Sequence, residues 1–278
     1  MSNFIKFKDN EPEVVTETWN KMLNEVCSSY FLPPEKRKVC VDVGSNIGSF
    51  MGYAISEKKF DKIYGFEPAF QTYHTSLSLL KHFKLLSENV QVRNLAVTDR
   101  NGDLLRLFGH HTNESGNTSL IPPLEEHGDL PEEVCLSINL DGIFEIANVE
   151  YIDYLKLDCE GAEANILLGC SRIKDVGVIC MEVHHNLFGQ VNNFLLKNGF
   201  WTLGFESRET GELVDMLFAI NTEKENLKDV VNYYCIGDSD AKKTIGDLER
   251  EKIEAGSGGL NFEDYLKWYE HVKVGEKE

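Results

Sequence analysis

Val39-Cys-Val-Asp-Val-Gly-Ser-Asn-Ile-Gly-Ser-Phe50 reads as an apolar strand that runs straight into a turn of small residues and then a helix. That corner is where α/β folds place nucleotides. A dinucleotide site would want Gly-x-Gly-x-x-Gly, in which the second glycine lets the backbone close on a pyrophosphate. Here Gly44 and Gly48 bracket Asn46 instead, and no phosphate cradle is present. The next strand, over residues 62–67, ends in Glu67, 23 residues beyond Gly44, where a carboxylate can accept both hydroxyl protons of a ribose. Asp42 lies at the mouth of the first strand, where a sulfonium or ammonium would be welcome. A glycine turn that serves no phosphate, with two acids facing a cation, fits S-adenosyl-L-methionine (SAM) better than NAD. The same pattern also occurs as an ordinary strand-turn-helix of an α/β protein.

Composition narrows the classes. The chain has 278 residues, enough for one large α/β domain or a domain with an appendage. Its 46 acidic and 28 basic residues give a net charge of −18, which repels nucleic acid and anionic lipid. The one basic run, Glu35-Lys-Arg-Lys38, reads as a solvated strand entrance. Seven cysteines, several inside apolar runs (Cys40, Cys159, Cys180), show no Cys-x-x-Cys pair and read as reduced core residues. No signal-peptide pattern opens the chain, and no run approaches the ~18 apolar residues of a membrane span. The expectation is a cytoplasmic protein with neither nucleic-acid nor membrane partners.

Strands and helices alternate through the middle of the chain. An amphipathic helix is expected over 11–31, from the spacing of Val14, Val15, Trp19, Met22, Leu23 and Val26. Helices then follow over 46–57, 70–86, 164–169 and 186–198. Strands are expected over 39–43, 62–67, 90–97, 151–158, 178–184, 200–207 and 214–220, a seven-strand pattern, with an added hairpin strand at 104–108. The polar stretch 109–131, with His110 and His111, reads as a long loop facing a substrate. Strand ends at Asp158 and His184 bring Asp158, Glu160, Glu182 and His184 to the rim that Asp42 and Glu67 occupy, because ligands in open α/β sheets bind beyond the carboxyl ends of the strands.

Six blocks now stand in order: Asp42-Val-Gly-Ser-Asn-Ile-Gly48, Gly65-Phe-Glu-Pro68, Asn94-Leu-Ala-Val97, Gly116-Asn-Thr-Ser-Leu120, Leu155-Lys-Leu-Asp-Cys-Glu-Gly-Ala-Glu163 and Met181-Glu-Val-His184. Over residues 38–222 they resemble the FkbM-type SAM-dependent methyltransferases. The resemblance implies a class I methyltransferase (Rossmann-like) α/β fold: a seven-stranded, mainly parallel sheet with flanking helices and an antiparallel last strand. It implies methyl transfer to a hydroxyl of a sugar, glycan or other small molecule. It also implies that Asp42, Gly44, Ser45, Asn46 and Gly48 surround the methionine part of SAM, that Glu67 holds the ribose, and that Asn94 and Ala96 border the adenine. Cys159 stands where a small aliphatic residue is common.

Methyl transfer to a hydroxyl needs an aligned acceptor and somewhere for its proton to go. Asp158, Glu160, Glu182 and His184 are the candidate catalytic residues, with His184 and Asp158 ranked first because neutral imidazole titrates near physiological pH. A less favoured route uses Mg2+ held by Asp158, Glu160 and Glu182. Glu163 is assigned to the start of the following helix, where the dipole favours an acid. Residues 1–37 form an N-terminal helical extension, and 223–278 a charged helical tail. The aromatic helix in that tail, around Trp268, docks on its own domain or makes a homo-oligomer. Two rival functions remain: a catalytically silent SAM-fold interaction module, and a methyltransferase acting on nitrogen or on protein.

Overall fold

Five successive residues at the end of one strand, Val39 to Val43, are all buried, with no polar alternation. Such a strand is covered on both faces, as in a parallel sheet flanked by helices. The computed structural model describes residues 32–33, 35–109, 118–119, 133–184, 187–207 and 214–225. All of them belong to a unit spanning Met1–Leu227; a second unit, Lys228–Glu278, the 11–31 helix and most of the 109–131 loop lie outside the described residues.

The chain runs β1 (Arg37–Val43), α1 (Ser49–Ser56), β2 (Phe60–Phe66), α2 (Phe70–His82), β3 (Val90–Arg93), β4 (Ala96–Thr98), β5 (Leu104–Gly109), β6 (Thr118–Ser119) and β7 (Glu133–Asn139). It continues with α3 (Leu140–Ala147), β8 (Ile152–Leu157), α4 (Glu163–Leu168), β9 (Val176–Val183), α5 (Phe188–Lys197), β10 (Phe200–Ser207) and β11 (Val214–Asn221). Seven strands form the main sheet in the order β10-β11-β9-β8-β1-β2-β3. All neighbours pair parallel except β11, which is antiparallel to both β9 and β10. This is the α/β class I methyltransferase arrangement. Chain order reverses between β1 and β8, so the switch point, and with it the expected ligand crevice, lies at their carboxyl ends.

The expected strand over 90–97 is two strands. At Asn94 the chain leaves the main sheet, and β4 joins a second, four-stranded sheet in the order β4-β7-β5-β6. At the break the Asn94 side chain donates its amide to the carbonyls of Glu67 (3.0 Å) and Pro68 (2.7 Å), which ties the departing chain to the end of β2. Three elements were not expected from the sequence, β6, β7 and α3. The Asn139 side chain caps α3 by accepting from the Gly142 N–H at 2.9 Å, and Leu140, Ile143, Phe144 and Ala147 bury its inner face in the main core. Among the described residues no helix is long and apolar enough to cross a membrane, and the five cysteines are unbridged.

Candidate functional site

The turn after β1 is held against two neighbours. Gly44 and Ser45 donate their N–H groups to the Phe66 carbonyl, each at 3.0 Å. Gly44 has φ +71°, and a Cβ there would fall 1.6 Å from the backbone oxygen of Asp158, so only glycine lets the two loops meet. Asn46, at φ +48°, points its N–H at Glu67 Oε2 (2.9 Å), while Ala69 N–H reaches Oε1 (2.9 Å). Each carboxylate oxygen thus keeps a lone pair for a further donor. Burial pushes the Glu67 carboxyl up to about 7, although both backbone N–H groups pull the other way. Ser45 Oγ, Asn46 Oδ1 and Ser49 Oγ are buried in this same turn without a hydrogen-bond partner in the protein. Buried polar groups are rarely left so, and a polar ligand fitted to the turn would satisfy them.

Asp42, expected at an open mouth, is wholly buried. An ammonium does lie beside it, but it is the protein's own: Lys156 Nζ is 3.3 Å from Asp42 Oδ1, 3.3 Å from Asp158 Oδ2, and donates to the Gly44 carbonyl at 3.0 Å. Asp42 and Lys156 are register partners on β1 and β8. Burial works against the lysine's charge, yet the two aspartates hold it firmly protonated. Asn94, expected near adenine, clamps the Glu67-Pro68 backbone, and Ala96 packs with Leu107 and Cys135 beneath the small sheet.

On the far side of the crevice Glu160 adopts φ +54° and Gly161 φ +107°, which turns the chain after β8 sharply. Glu163, wholly buried at the start of α4, holds that turn: its Oε1 accepts from Cys159 N–H (3.0 Å) and Gly161 N–H (3.2 Å). The same oxygen lies 3.0 Å from His184 Nδ1. Burial opposes the charge on Glu163, but His184 and the N–H donors outweigh it and keep the carboxyl below its ordinary range. An ionised Glu163 makes Nδ1 the donor. The other ring nitrogen faces acids too, with Glu160 Oε2 at 3.6 Å and Glu182 Oε1 at 3.7 Å from Nε2. Burial would lower the imidazole, but Glu163, Glu160 and Glu182 together lift it to about 9. Burial first, and neighbouring carboxylates after it, push Glu160 and Glu182 up to about 7, with His184 partly offsetting. One donor atom each from Asp158, Glu160 and His184 lie within 4.8 Å of one another, a spacing a divalent ion could bridge.

The six acids and two bases thus gather at the carboxyl ends of β1, β2, β8 and β9. The model of the methyltransferase FkbM domain matches residues 42–201, more than half of the chain and all of these side chains. The chain belongs to this family. Among solved structures, the FkbM-family chain is similar to the methyltransferase FkbM of Methylobacillus flagellatus, with 16% identity, a TM-score of 0.48, and coverage of 68% of this chain and 44% of that one. It therefore spans less than half the length of that relative. A protein of the NADB-Rossmann superfamily from Streptococcus agalactiae is 15% identical, with a TM-score of 0.43 and coverage of 74% and 68%. TrmK of M. capricolum, solved with S-adenosyl-homocysteine, is 13% identical, with a TM-score of 0.41 and coverage of 92% and 93%. No curated protein matches the FkbM-family chain in sequence.

Two members of this site escaped the sequence reading. Lys156, inside an apolar strand, has no role in the sequence reading, although acids at the ends of both β1 and β8 are a signal for a buried cation. Glu163 was read as a helix-dipole acid; its contact with His184 depends on two loops that lie 21 residues apart in sequence.

Proposed function

We propose that the protein is a SAM-dependent O-methyltransferase whose acceptor is a hydroxyl of a sugar, glycan or other small hydroxylated molecule. Family membership supports methyl transfer. The observation that carries the reading is the division of the crevice: a turn with unsatisfied polar groups and Glu67 on one side, and a rim of carboxylates and imidazole on the other. Ser45, Asn46 and Glu67 would hold the cofactor, with Glu67 toward the ribose hydroxyls. When bound, SAM supplies a methyl group activated by its sulfonium.

The rim then has two tasks, orientation and proton removal. With the imidazole lifted to about 9, His184 at neutral pH is a donor that orients an acceptor oxygen, and not the free base expected of it. Glu160 and Glu182, poised at about 7, suit the base role better, because a general base works best near the operating pH. A second reading has a divalent cation, such as Mg2+, lowering the acceptor's pKa; Asp158 and Glu160 would hold it, with Glu182 as expected from the sequence or with His184 once the ring has lost its proton. Dependence of turnover on added Mg2+ after chelation separates the two.

Residues 38–222 form the catalytic body in this proposal, with 1–37 and 223–278 as extensions and the tail as a route to a homo-oligomer. The net charge of −18 supports a small acceptor over nucleic acid, and the unbridged cysteines support a cytoplasmic setting.

Calorimetric titration with SAM and with S-adenosylhomocysteine tests the reading. Binding that Glu67→Ala weakens by about 1.5–3 kcal/mol, the size of a hydrogen bond to a charged group, is the expected result, followed by turnover on a panel of sugar and small-molecule hydroxyls. Binding without turnover on any acceptor would favour a silent interaction module. Turnover confined to amines or to protein side chains would favour an N-directed or protein-directed enzyme. Absence of binding by the wild type would refute the proposal.

A further inference from the structure

An ammonium group carries three protons, and Lys156 has three oxygens around it: the Gly44 carbonyl and one carboxylate oxygen each from Asp42 and Asp158. The three partners differ in exposure. Asp42 is wholly enclosed, whereas the Asp158 side chain keeps 27% of its surface open at the end of β8. Lys156 therefore divides its charge between a carboxylate no ligand can reach and one that faces the crevice. Burial raises the Asp42 carboxyl above its ordinary range and the Lys156 ammonium pulls it back; with both carboxylates ionised the group carries one negative unit, and its exposed member is Asp158.

We propose that Lys156 is a positioning residue that sets how strongly the crevice prefers a cationic sulfonium over its neutral thioether product, by parting its charge between Asp42 and Asp158. The inference rests on the reading that this crevice takes SAM. With Asp42 drawing on the ammonium, Asp158 retains enough negative charge to favour the donor and to let go of the product once the sulfonium charge has left. Asp42 acts on the cofactor without touching it. Gly44, on the third proton, keeps the ammonium at the junction of the β1 and β8 turns, so the charge balance and the shape of the cofactor turn are fixed by one side chain.

The test is the ratio of affinities for SAM and S-adenosylhomocysteine, measured by calorimetry at one ionic strength on the full chain. In Asp42→Asn, Lys156 loses one of its two carboxylates and leans more on Asp158, so the ratio drops by roughly threefold to fivefold, the scale of a partly exposed charge pair. Adding Lys156→Met to Asp42→Asn takes the ammonium away from Asp158 and returns the ratio to the wild-type value or above it. Asp158→Asn lowers the ratio, and Lys156→Met does not restore it in that background. A purely structural lysine gives another pattern: both ligands weaken together, and the double variant is worse than either single one.

An unchanged ratio in Asp42→Asn, or a double variant as low as Asp42→Asn, overturns the inference. Thermal melting reports whether each variant folds. If Asp42→Asn does not, Asp158→Asn alone decides, since a wild-type ratio in that variant also overturns the inference. A wild type that binds neither ligand refutes the cofactor reading itself, whereas one that binds both with a ratio indifferent to these charges refutes only the role of Lys156.

Discussion

At the carboxyl ends of β1 and β8 the protein encloses an aspartate and a lysine, Asp42 and Lys156, at 0% and 4% exposure. On the small sheet it does the reverse, leaving Leu104 and Val134 at 74% and 60% exposure. The main sheet is covered on both faces, so a polar side chain within it survives only by finding partners in the interior, and those partners are what make a site. The small sheet is covered on one face. Its β5 and β7 pair antiparallel with Leu107 and Cys135 turned inward and Leu104, Val134 and Leu136 turned outward. Charge inside and grease outside thus come from the same cause, the number of covered faces. The main sheet carries the side chains of the crevice, and at Asn94 the chain leaves it for the small sheet.

The sharpest way to break this contrast is at the contact between the two turns. Gly44→Ala puts a methyl group into the Asp158 backbone at a positive φ, and the expected result is a loss of more than about 4 kcal/mol or failure to fold, read by chemical denaturation. Next in size is the buried ion pair at the rim. His184 has its imidazole raised from 6.5 to about 9, so its contribution to stability is complete below about pH 6.5 and is lost as pH rises through about 9. Wild type should therefore exceed His184→Gln by roughly 2 kcal/mol at pH 6, on the scale of 1.36 kcal/mol per unit, and the gap should close by pH 10. Denaturation curves across that range decide it; a gap independent of pH would mean that the ring contributes packing alone. The smallest effect belongs to the small sheet, where Leu104→Ala should change stability by no more than about 0.5 kcal/mol. A loss several times larger would show that its outer face is covered.

What could be read from the sequence divides along the same line. Strands of the main sheet announce themselves as apolar runs, so β1, β2, β8, β9, β10 and β11 stand close to where the residues place them, and the acids at the ends of β1, β2, β8 and β9 are visible as candidates for the site. The small sheet was harder. The alternation Val134-Cys-Leu-Ser-Ile138 and the Asn139 cap before Leu140, Ile143 and Phe144 are proper strand and helix signals, but they follow a long polar stretch that drew the eye as loop. Residues 90–97 have continuous strand character; the break at Asn94 coincides with side-chain bonds to carbonyls 26 and 27 residues away, which no local pattern shows. Lys156 was illegible for a related reason. Period-two alternation marks every second residue as outward, and in a sheet covered on both faces outward does not mean wet.

The place of β11 has a consequence for biosynthesis. Of the strands in the main sheet it leaves the ribosome last, yet it belongs between β9 and β10, matching β10 through eight register pairs from Phe200 to Ser207. Until residue 221 has cleared the exit tunnel, β10 has no neighbour to pair with, and β9, buried along nearly its whole length in the finished sheet, presents a bare apolar edge. The nascent chain therefore carries its rim of acids and imidazole, complete through Glu182 and His184, for some forty residues of translation before the sheet that supports it can close. This is the interval in which a chaperone, or an unwanted strand from another chain, would find its opening.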